Sequence, residues 1–417
     1  MSKPSESQLK PTLGLFDATQ IGIGAIIGAG IFVVTGIAAG LAGPALVVSM
    51  IVAAVVSLFT ALSFVELTAW LPKEGGVYEF ASRLLSPFAG FLAGWMWVVS
   101  YIFVGSAVSL AFSYYFTVLF PAADSRLVAA IICIAFTIIN VAGVRHSAAF
   151  NNVLVTAKLA ILLVFCLVGL FHLRVSNFTP FVTSGGGVFY GAYFIFFAYS
   201  GFARIAVLGE EVKDARRNVP RSIILALLIS TATYLIVGTV AVGLIGAEKL
   251  GKSKSPLAEA IGAVGNPTLT YIVSLGGLLA TASVLLTSIL GVSRMTFAMA
   301  RKADLPTFLS KLHQKYGTPH YSILIMGFIM TLLVIFSDLA GTVAISNFAS
   351  LFYYALANVS ALRLRVDSRL YPRIIPAIGL ASCLVLILFV QPSAFGISAL
   401  CLAIGAVYYR SSRTRAN

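Results

Sequence analysis

Long apolar stretches separated by short polar segments make up most of the chain. Each stretch approaches or exceeds the roughly 20 apolar residues that a helix needs to cross a bilayer. The pattern predicts an all-α integral membrane protein with twelve transmembrane helices. The predicted spans are residues 18–40, 44–71, 87–119, 127–144, 152–173, 187–209, 221–246, 267–299, 320–337, 340–362, 371–391 and 393–410.

Composition and charge support this class and orient the chain. Apolar residues form 59% of the sequence and charged residues 10%, which excludes a soluble protein with one core. Of the 28 Lys and Arg residues, 21 fall on the side that holds the N-terminus and five on the opposite side. Since cytoplasmic loops retain positive charge, we predict a multi-pass protein of the plasma membrane with both termini cytoplasmic. This asymmetry also explains the net charge of +14 without nucleic acid as a partner.

The residue types that usually build metal sites or disulfides are scattered. All four cysteines lie inside predicted helices, where we interpret them as small apolar residues rather than a secreted disulfide framework. The four histidines occupy loops and helix ends without ligand spacing. We therefore predict no metal site and no cofactor. The lack of clustered His, Asp or Cys also argues against an enzyme.

Two predicted spans stand out because they are rich in glycine, with glycine near mid-membrane. The first contains IIGAGIF at residues 26–32, and the sixth contains YSGF at residues 199–202. The two spans are five helices apart, and because five is odd the second block of five begins on the opposite face of the membrane. This arrangement is typical of an inverted-topology repeat, in which interrupted helices at corresponding positions mark a transporter binding site.

The glycines of the first span have two interpretations. Gly24 and Gly28 have the spacing of a helix packing face, and such packing needs one face. At about 100° per residue, Gly22, Gly24, Gly28 and Gly30 point all round the helix, which favours a locally unwound segment. Unwound backbone in a bilayer needs a polar partner. Helix-end amides favour a carboxylate and helix-end carbonyls favour a cation, so an amino acid matches both.

Four segments, in order, resemble motifs of the amino acid-polyamine-organocation (APC) superfamily of amino acid permeases. They are GIGAIIGAGIF at 22–32, ELTAWLPKEGGVY at 66–78, GEEVKDARRNVPRSI at 209–223 and SRMTFAMARKADLP at 293–306. The resemblance implies a LeuT-like fold, a 5+5 inverted repeat with broken helices 1 and 6. The implied parts are a cytoplasmic tail (1–17), a first repeat (18–175), a second repeat (184–365), two peripheral helices (370–410) and a second cytoplasmic tail (411–417).

By this resemblance, the two breaks hold the substrate. The implied contact residues are Ile26, Gly28, Ala29, Gly30, Phe197, Ala198 and Ser200. The amides of the GAG segment would bind the carboxylate, and the Ile26 carbonyl and the backbone of the sixth span would receive the amine. Phe197 would be an aromatic gate. Without the resemblance, a core- or lipid-facing phenylalanine in the FIFFAY run is the simpler interpretation.

The sequence departs from the family pattern in the sixth span. Where many members carry an acidic residue, this chain reads GFAR, so Ala203 removes a carboxylate and Arg204 adds a base. We expect Arg204 in the inner half of the span, where it could pair with Glu210 or Glu66 in a cytoplasmic gate. Snorkelling or hydrogen bonding to carbonyls is the alternative.

Lys158 lies about seven residues, or roughly 10 Å, into the fifth span. It could snorkel to the interface. By the resemblance, it matches a fifth-span lysine that replaces a sodium ion in some proton-coupled APC members, and a buried ammonium can lose its proton within a reachable pH range. Lys158 would then contact the Gly24 carbonyl and hydroxyls of the eighth span. The candidate hydroxyls are Thr281, Ser283 and Thr287, although such groups often bond to their own helix.

The predicted function is import of amino acids by proton symport through alternating access. The predicted partners are the amino acid, protons and the lipid bilayer. Sodium-coupled or exchange-type transport of amino acids or polyamines is the main alternative. A passive channel also uses carbonyl-lined sites, but it usually repeats its filter among subunits, whereas here two different breaks lie in one chain.

Overall fold

The computed structural model describes residues 12–71, 75–143, 148–181, 186–207, 212–365 and 369–414. Within these ranges the chain is helical, with one isolated parallel bridge between Leu13 and Val212. The α-helices are α1 (Leu15–Ile26), α2 (Thr35–Ala42), α3 (Leu46–Trp70), α4 (Gly76–Leu84), α5 (Pro87–Leu119), α6 (Ser125–Val141), α7 (Ala148–Leu170), α8 (Gly187–Tyr199), α9 (Ala203–Val207), α10 (Ala215–Ile245), α11 (Ala247–Lys252), α12 (Pro256–Gly262), α13 (Pro267–Arg301), α14 (His320–Phe336), α15 (Leu339–Arg363), α16 (Ile374–Ile387) and α17 (Pro392–Thr414).

Each predicted span coincides with one helix or with two helices in series. Eight helical stretches in the described residues are long and apolar enough to cross a membrane. Three shorter apolar helices, α6, α14 and α16, have 10–17 residues. The all-helical membrane class is thereby confirmed, whereas the count of twelve spans and the LeuT-like repeat stay predictions.

The starts of the central helices follow from local chemistry. Pro87 opens α5 at a position where the missing N–H has no helical partner to lose. The Ser86 hydroxyl accepts from the Ala89 N–H at 3.1 Å and so caps the same helix. In α15, the Asp338 carboxylate accepts from the Gly341 N–H at 3.1 Å. These caps determine where two central helices begin.

α5 is the central helix of the bundle. It is apolar all round, as expected of a helix with no solvent-facing side, and packs against α4, α6, α13, α14, α15 and α17. α3 packs against α8, α10 and α16, and α1 packs against α7 and α10. The outer helices α6, α7 and α17 expose large apolar side chains, among them Ile138, Leu163 and Val407. An apolar surface of this extent suits lipid rather than water.

The first predicted span is not one continuous helix. α1 ends at Ile26, and Ile27 is extended (φ −77°, ψ 91°). The chain returns to helical dihedrals at Ala29 (φ −54°, ψ −26°), and the π-helical turn Gly30–Val34 leads into α2. Wide turns of this kind inside helices are frequent at functional sites.

The sixth predicted span is interrupted differently. α8 ends at Tyr199, the 3₁₀ turn Ser200–Phe202 follows, and α9 begins at Ala203. Ser200 (φ −60°, ψ −10°) and Ala203 (φ −59°, ψ −20°) stay in the right-handed helical region. This segment is a tightened turn rather than unwound backbone, so the two interruptions differ in geometry.

The glycines of the first span allow close packing on several sides. A Cβ atom placed at Gly22 would overlap α9 and α10, and one at Gly24 would overlap α7. A Cβ atom at Gly28 would overlap α13, and one at Gly30 would overlap α8. None of these four residues has a positive φ. The expectation that packing needs one face does not hold here, because helices surround this segment and each glycine meets a different neighbour.

Candidate functional site

A small cavity lies between the two interruptions. Its volume is about 20 Å³, which is room for about one water molecule. The lining residues are Ala25, Ile26, Gly28, Ala29, Gly30, Tyr101, Val104, Phe197, Ser200, Gly201, Arg204 and Val284. The structure thus brings most of the predicted substrate contacts together. Ala198 is not a lining residue, because it packs against Gly30.

Two tyrosine hydroxyls donate hydrogen bonds to backbone carbonyls that the family resemblance assigns to the substrate amine. The Tyr234 hydroxyl lies 2.7 Å from the Ile26 carbonyl oxygen and 3.1 Å from that of Ala198, so it joins the two interruptions. The Tyr354 hydroxyl donates to the Ser200 carbonyl at 2.7 Å. These carbonyls are satisfied by the protein, as buried backbone in a bilayer requires. Each oxygen keeps a second lone pair, so amine binding there stays a prediction.

Tyr234 and Tyr354 were not anticipated from the sequence. Both lie in predicted apolar spans, and a buried phenol needs a hydrogen-bond partner. A tyrosine in such a span therefore indicates that a hydrogen-bond acceptor lies nearby in the folded protein. The sequence does not identify that acceptor, because the two partners of Tyr234 lie 208 and 36 positions away along the chain.

Phe197 is buried and lines the cavity. A lipid-facing position is excluded, because 7% of the residue is exposed. Movement of this ring would change access to the cavity. Its role as a gate stays a prediction.

Lys158 is buried in the bundle with 1% of its surface exposed, so it does not snorkel. Its Nζ donates to the Ser283 hydroxyl at 2.6 Å and lies 3.4 Å from the Ile27 carbonyl oxygen. Lys158 thus joins α7 to α13 and to the first interruption. The expected Gly24 carbonyl is not among its hydrogen-bond partners in the described structure. The extended Ile27 follows the end of α1 and turns its carbonyl toward the lysine, whereas Gly24 lies inside α1 against Val155.

The three hydroxyls predicted on the eighth span have different partners. Ser283 accepts from Lys158 as expected. Thr281 donates at 2.7 Å to a carbonyl one turn earlier in α13, so it bonds to its own helix and not to Lys158. Thr287 donates to the Ser283 carbonyl at 3.0 Å and accepts from Arg204. Two of the three hydroxyls therefore bind a cation, Ser283 to Lys158 and Thr287 to Arg204.

Arg204 lines the cavity and extends toward α5 and α13. Its Nη1 donates to the Thr287 hydroxyl at 2.6 Å, and its Nη2 donates to the Ser288 hydroxyl at 3.2 Å. Its Nε lies 3.4 Å from the Tyr101 hydroxyl, and the guanidinium carbon is 5.4 Å from the centre of that ring. These contacts hold the guanidinium at the cavity rather than at a membrane interface.

The expected pair between Arg204 and Glu66 is wrong. Glu66 is buried near the C-terminal end of α3, and its Oε1 accepts from Arg369 Nε at 2.9 Å. The tight turn before α9 directs the Arg204 side chain toward α13 instead. Glu210, the other expected partner in the gate, lies outside the described residues.

Comparison with known proteins points to one class of protein. The amino acid permease family model matches residues 13–409. An uncharacterized transporter of Mycobacterium tuberculosis is 37% identical over 405 residues, which cover 96% of this chain and 91% of the relative. The branched-chain amino acid permease BcaP of Bacillus subtilis is 33% identical over 412 residues, with coverage of 92% and 89%. The methylthioribose transporter of Bacillus subtilis is 34% identical over 386 residues, with coverage of 88% and 84%. The family and these relatives are transporters, not enzymes.

Proposed function

This chain belongs to the amino acid permease family of the APC superfamily, and on that premise we propose that it imports amino acids by proton symport through alternating access. It is a multi-pass membrane protein. The proposal includes a twelve-span LeuT-like arrangement, a plasma-membrane location and cytoplasmic termini. The short helices α6, α14 and α16 each count as one crossing in it.

The cavity between the two interrupted helices carries the proposal. Much of its lining belongs to the GAG segment of the first interruption and to Ser200 and Gly201 of the second. Backbone amides favour a carboxylate, and carbonyls favour an ammonium. A cavity with both kinds of group suits a solute that carries both charges.

The size of the cavity supports alternating access. A volume of about 20 Å³ accommodates about one water molecule, so an amino acid enters only if the surrounding helices move. The extended Ile27 and the turn Ser200–Phe202 lie beside the cavity. Chain segments outside regular α-helix can absorb the dihedral changes of such a motion.

Lys158 is the proposed coupling residue. Its ammonium bonds to the Ser283 hydroxyl and the Ile27 carbonyl, and so ties α7, α13 and the first interruption together. Hydrogen bonds from a charged donor are about twice as strong as neutral ones. Loss of the proton on the inner side would weaken this tie and favour substrate release. Arg204 is the charged neighbour of Lys158, because it donates a hydrogen bond to Thr287, one turn after Ser283 in α13.

Uptake by the purified protein in proteoliposomes tests the proposal. A panel of labelled amino acids is offered with proton and sodium gradients imposed separately, and we expect the proton gradient to drive uptake. Lys158→Ala should lower proton-driven uptake by about 10- to 100-fold and remove its pH dependence, because hydrogen bonds from a charged group are lost. Lys249→Ala, at an exposed lysine, is the control and should behave like the wild type.

Each other result changes the proposal in a defined way. Full proton-driven uptake by Lys158→Ala would refute the coupling role. Uptake that needs a sodium gradient or a counter-substrate would identify sodium-coupled transport or exchange. Ion currents without saturable solute uptake would identify a channel.

A further inference from the structure

Arg204 places a positive charge on the cavity lining, and none of the described lining residues is acidic. Its hydrogen bonds in the described structure go to the neutral hydroxyls of Tyr101, Thr287 and Ser288. A guanidinium has five N–H donors, so two remain available to a ligand. A charge removed from water is unfavourable unless an opposite charge or hydrogen bonds compensate it.

A second positive charge lies close to the first. Lys158 donates to Ser283 and Arg204 donates to Thr287. These two hydroxyls are four residues apart on α13, and residues at that spacing are about 5–6 Å apart on one helix face. Both cations therefore occupy one region beside the cavity, and both have neutral partners among the described residues.

The first interruption adds partial positive charge to the same cavity. Gly28, Ala29 and Gly30 line it at the point where the chain re-enters a helical turn. The first N–H groups of such a turn have no helical acceptor and form the positive end of the helix dipole. Two cations and these amides together favour an anion over a neutral or cationic solute.

We propose that the transported solute is anionic and that one of its carboxylates binds Arg204. This inference rests on the proposed function, for which such a solute is an amino acid with an acidic side chain. One carboxylate would bind the amides of the first interruption, and the other would bind the two remaining N–H donors of Arg204 as a bidentate pair. A basic amino acid would instead add a side-chain cation to the α-ammonium that every amino acid carries, and repulsion from Lys158 and Arg204 disfavours that second cation.

Pairs of solutes that differ in charge but not in size test this proposal. The full-length protein is reconstituted in proteoliposomes, and uptake of glutamate is compared with that of glutamine, and aspartate with asparagine. The wild type should take up each acid about 10- to 100-fold faster than its amide, the range expected of a hydrogen-bonded charge pair. Glutarate, which lacks the ammonium group, lysine and leucine complete the panel.

Two substitutions at Arg204 identify the residue that recognises the charge. Arg204→Gln should lower glutamate uptake about 10- to 100-fold, so that the preference for glutamate over glutamine is lost. Arg204→Lys keeps the charge and should keep the preference for glutamate, with a higher KM because the bidentate geometry is lost. Arg174→Gln removes an exposed arginine and should behave like the wild type.

Stability against heat, measured in detergent with and without glutamate, separates binding from folding. Glutamate should raise the melting temperature of the wild type and of Arg204→Lys. If Arg204→Gln does not fold, the wild-type preference and Arg204→Lys decide the question. A preference that survives in a folded Arg204→Gln protein would overturn the role of this residue.

The panel also distinguishes failure of this inference from failure of the proposed function. Uptake of leucine, glutamine or lysine in preference to glutamate would overturn the anionic substrate and leave amino acid transport intact. Uptake of glutarate as fast as glutamate would support carboxylate recognition but overturn recognition of the ammonium group. No uptake of these solutes or of the wider amino acid panel under either gradient would overturn the proposed function and the substrate with it.

Discussion

Replacing Tyr234 by phenylalanine removes the hydroxyl that joins the two interruptions and keeps the ring. The hydroxyl lies 2.7 Å from the Ile26 carbonyl oxygen and 3.1 Å from that of Ala198. The ring is fully buried and packs edge-on against Tyr199, with ring centres 5.1 Å apart. Phenylalanine can keep that packing. The substitution therefore isolates the effect of the hydroxyl.

The expected loss of stability is that of one hydrogen bond. A hydroxyl has a single hydrogen, so the two contacts are equivalent to one shared hydrogen bond. Leaving a buried acceptor unpaired costs about 1–3 kcal/mol, and hydrogen bonds between membrane helices average about 0.6 kcal/mol with a maximum of about 1.7. We therefore expect Tyr234→Phe to lower the free energy of unfolding by about 1–2 kcal/mol. With an unfolding entropy of about 2.1 cal/mol/K per residue over 417 residues, this lowers Tm by about 1–2 °C.

Thermal unfolding in detergent and uptake in proteoliposomes measure the two consequences. A bias of about 1–2 kcal/mol between conformations changes a population ratio by about 5- to 30-fold, so the initial uptake rate should change far more visibly than Tm. Tyr190→Phe, at an exposed tyrosine of α8, is the matched control. If Tyr234→Phe melts and transports like this control, the hydroxyl does not hold the interruptions together. A lower Tm with unchanged uptake would limit its role to stability.

Two further substitutions test packing and charge around the site. Gly30→Ala places a Cβ against the backbone and side chain of Ala198, so it should lower the free energy of unfolding by about 1–3 kcal/mol and lower uptake. The control Gly396→Ala meets open space and should be neutral in both assays. Glu66→Gln should cost on the order of 2 kcal/mol, because Arg369 then lacks its carboxylate partner but keeps partial solvent contact. Additive melting shifts for Glu66→Gln and Arg369→Gln would show that the two side chains are not coupled.

Helix positions are predictable from this sequence because the bilayer imposes a local rule. Each crossing needs about 20 apolar residues and must satisfy its own backbone. The span predicted at 87–119 is the helix Pro87–Leu119, and the interruption in the first span falls within IIGAGIF. The same rule indicates that polar groups near such an interruption have partners. Five of the twelve lining residues of the candidate cavity lie at this first interruption.

Hydrogen-bond partners depend instead on how the helices are rotated and placed against one another. Residue spacing shows which side chains share a helix face, but not which neighbouring helix meets that face. Lys158 contacts Ile27 because one extended residue redirects a carbonyl, and Glu66 contacts Arg369 although 303 positions separate them. The cation pair beside the cavity likewise exists because α7 and α9 approach the same face of α13. The apolar pattern therefore specifies the helices and the glycines specify where the first of them breaks, while tertiary packing decides the charge of the cavity that they enclose.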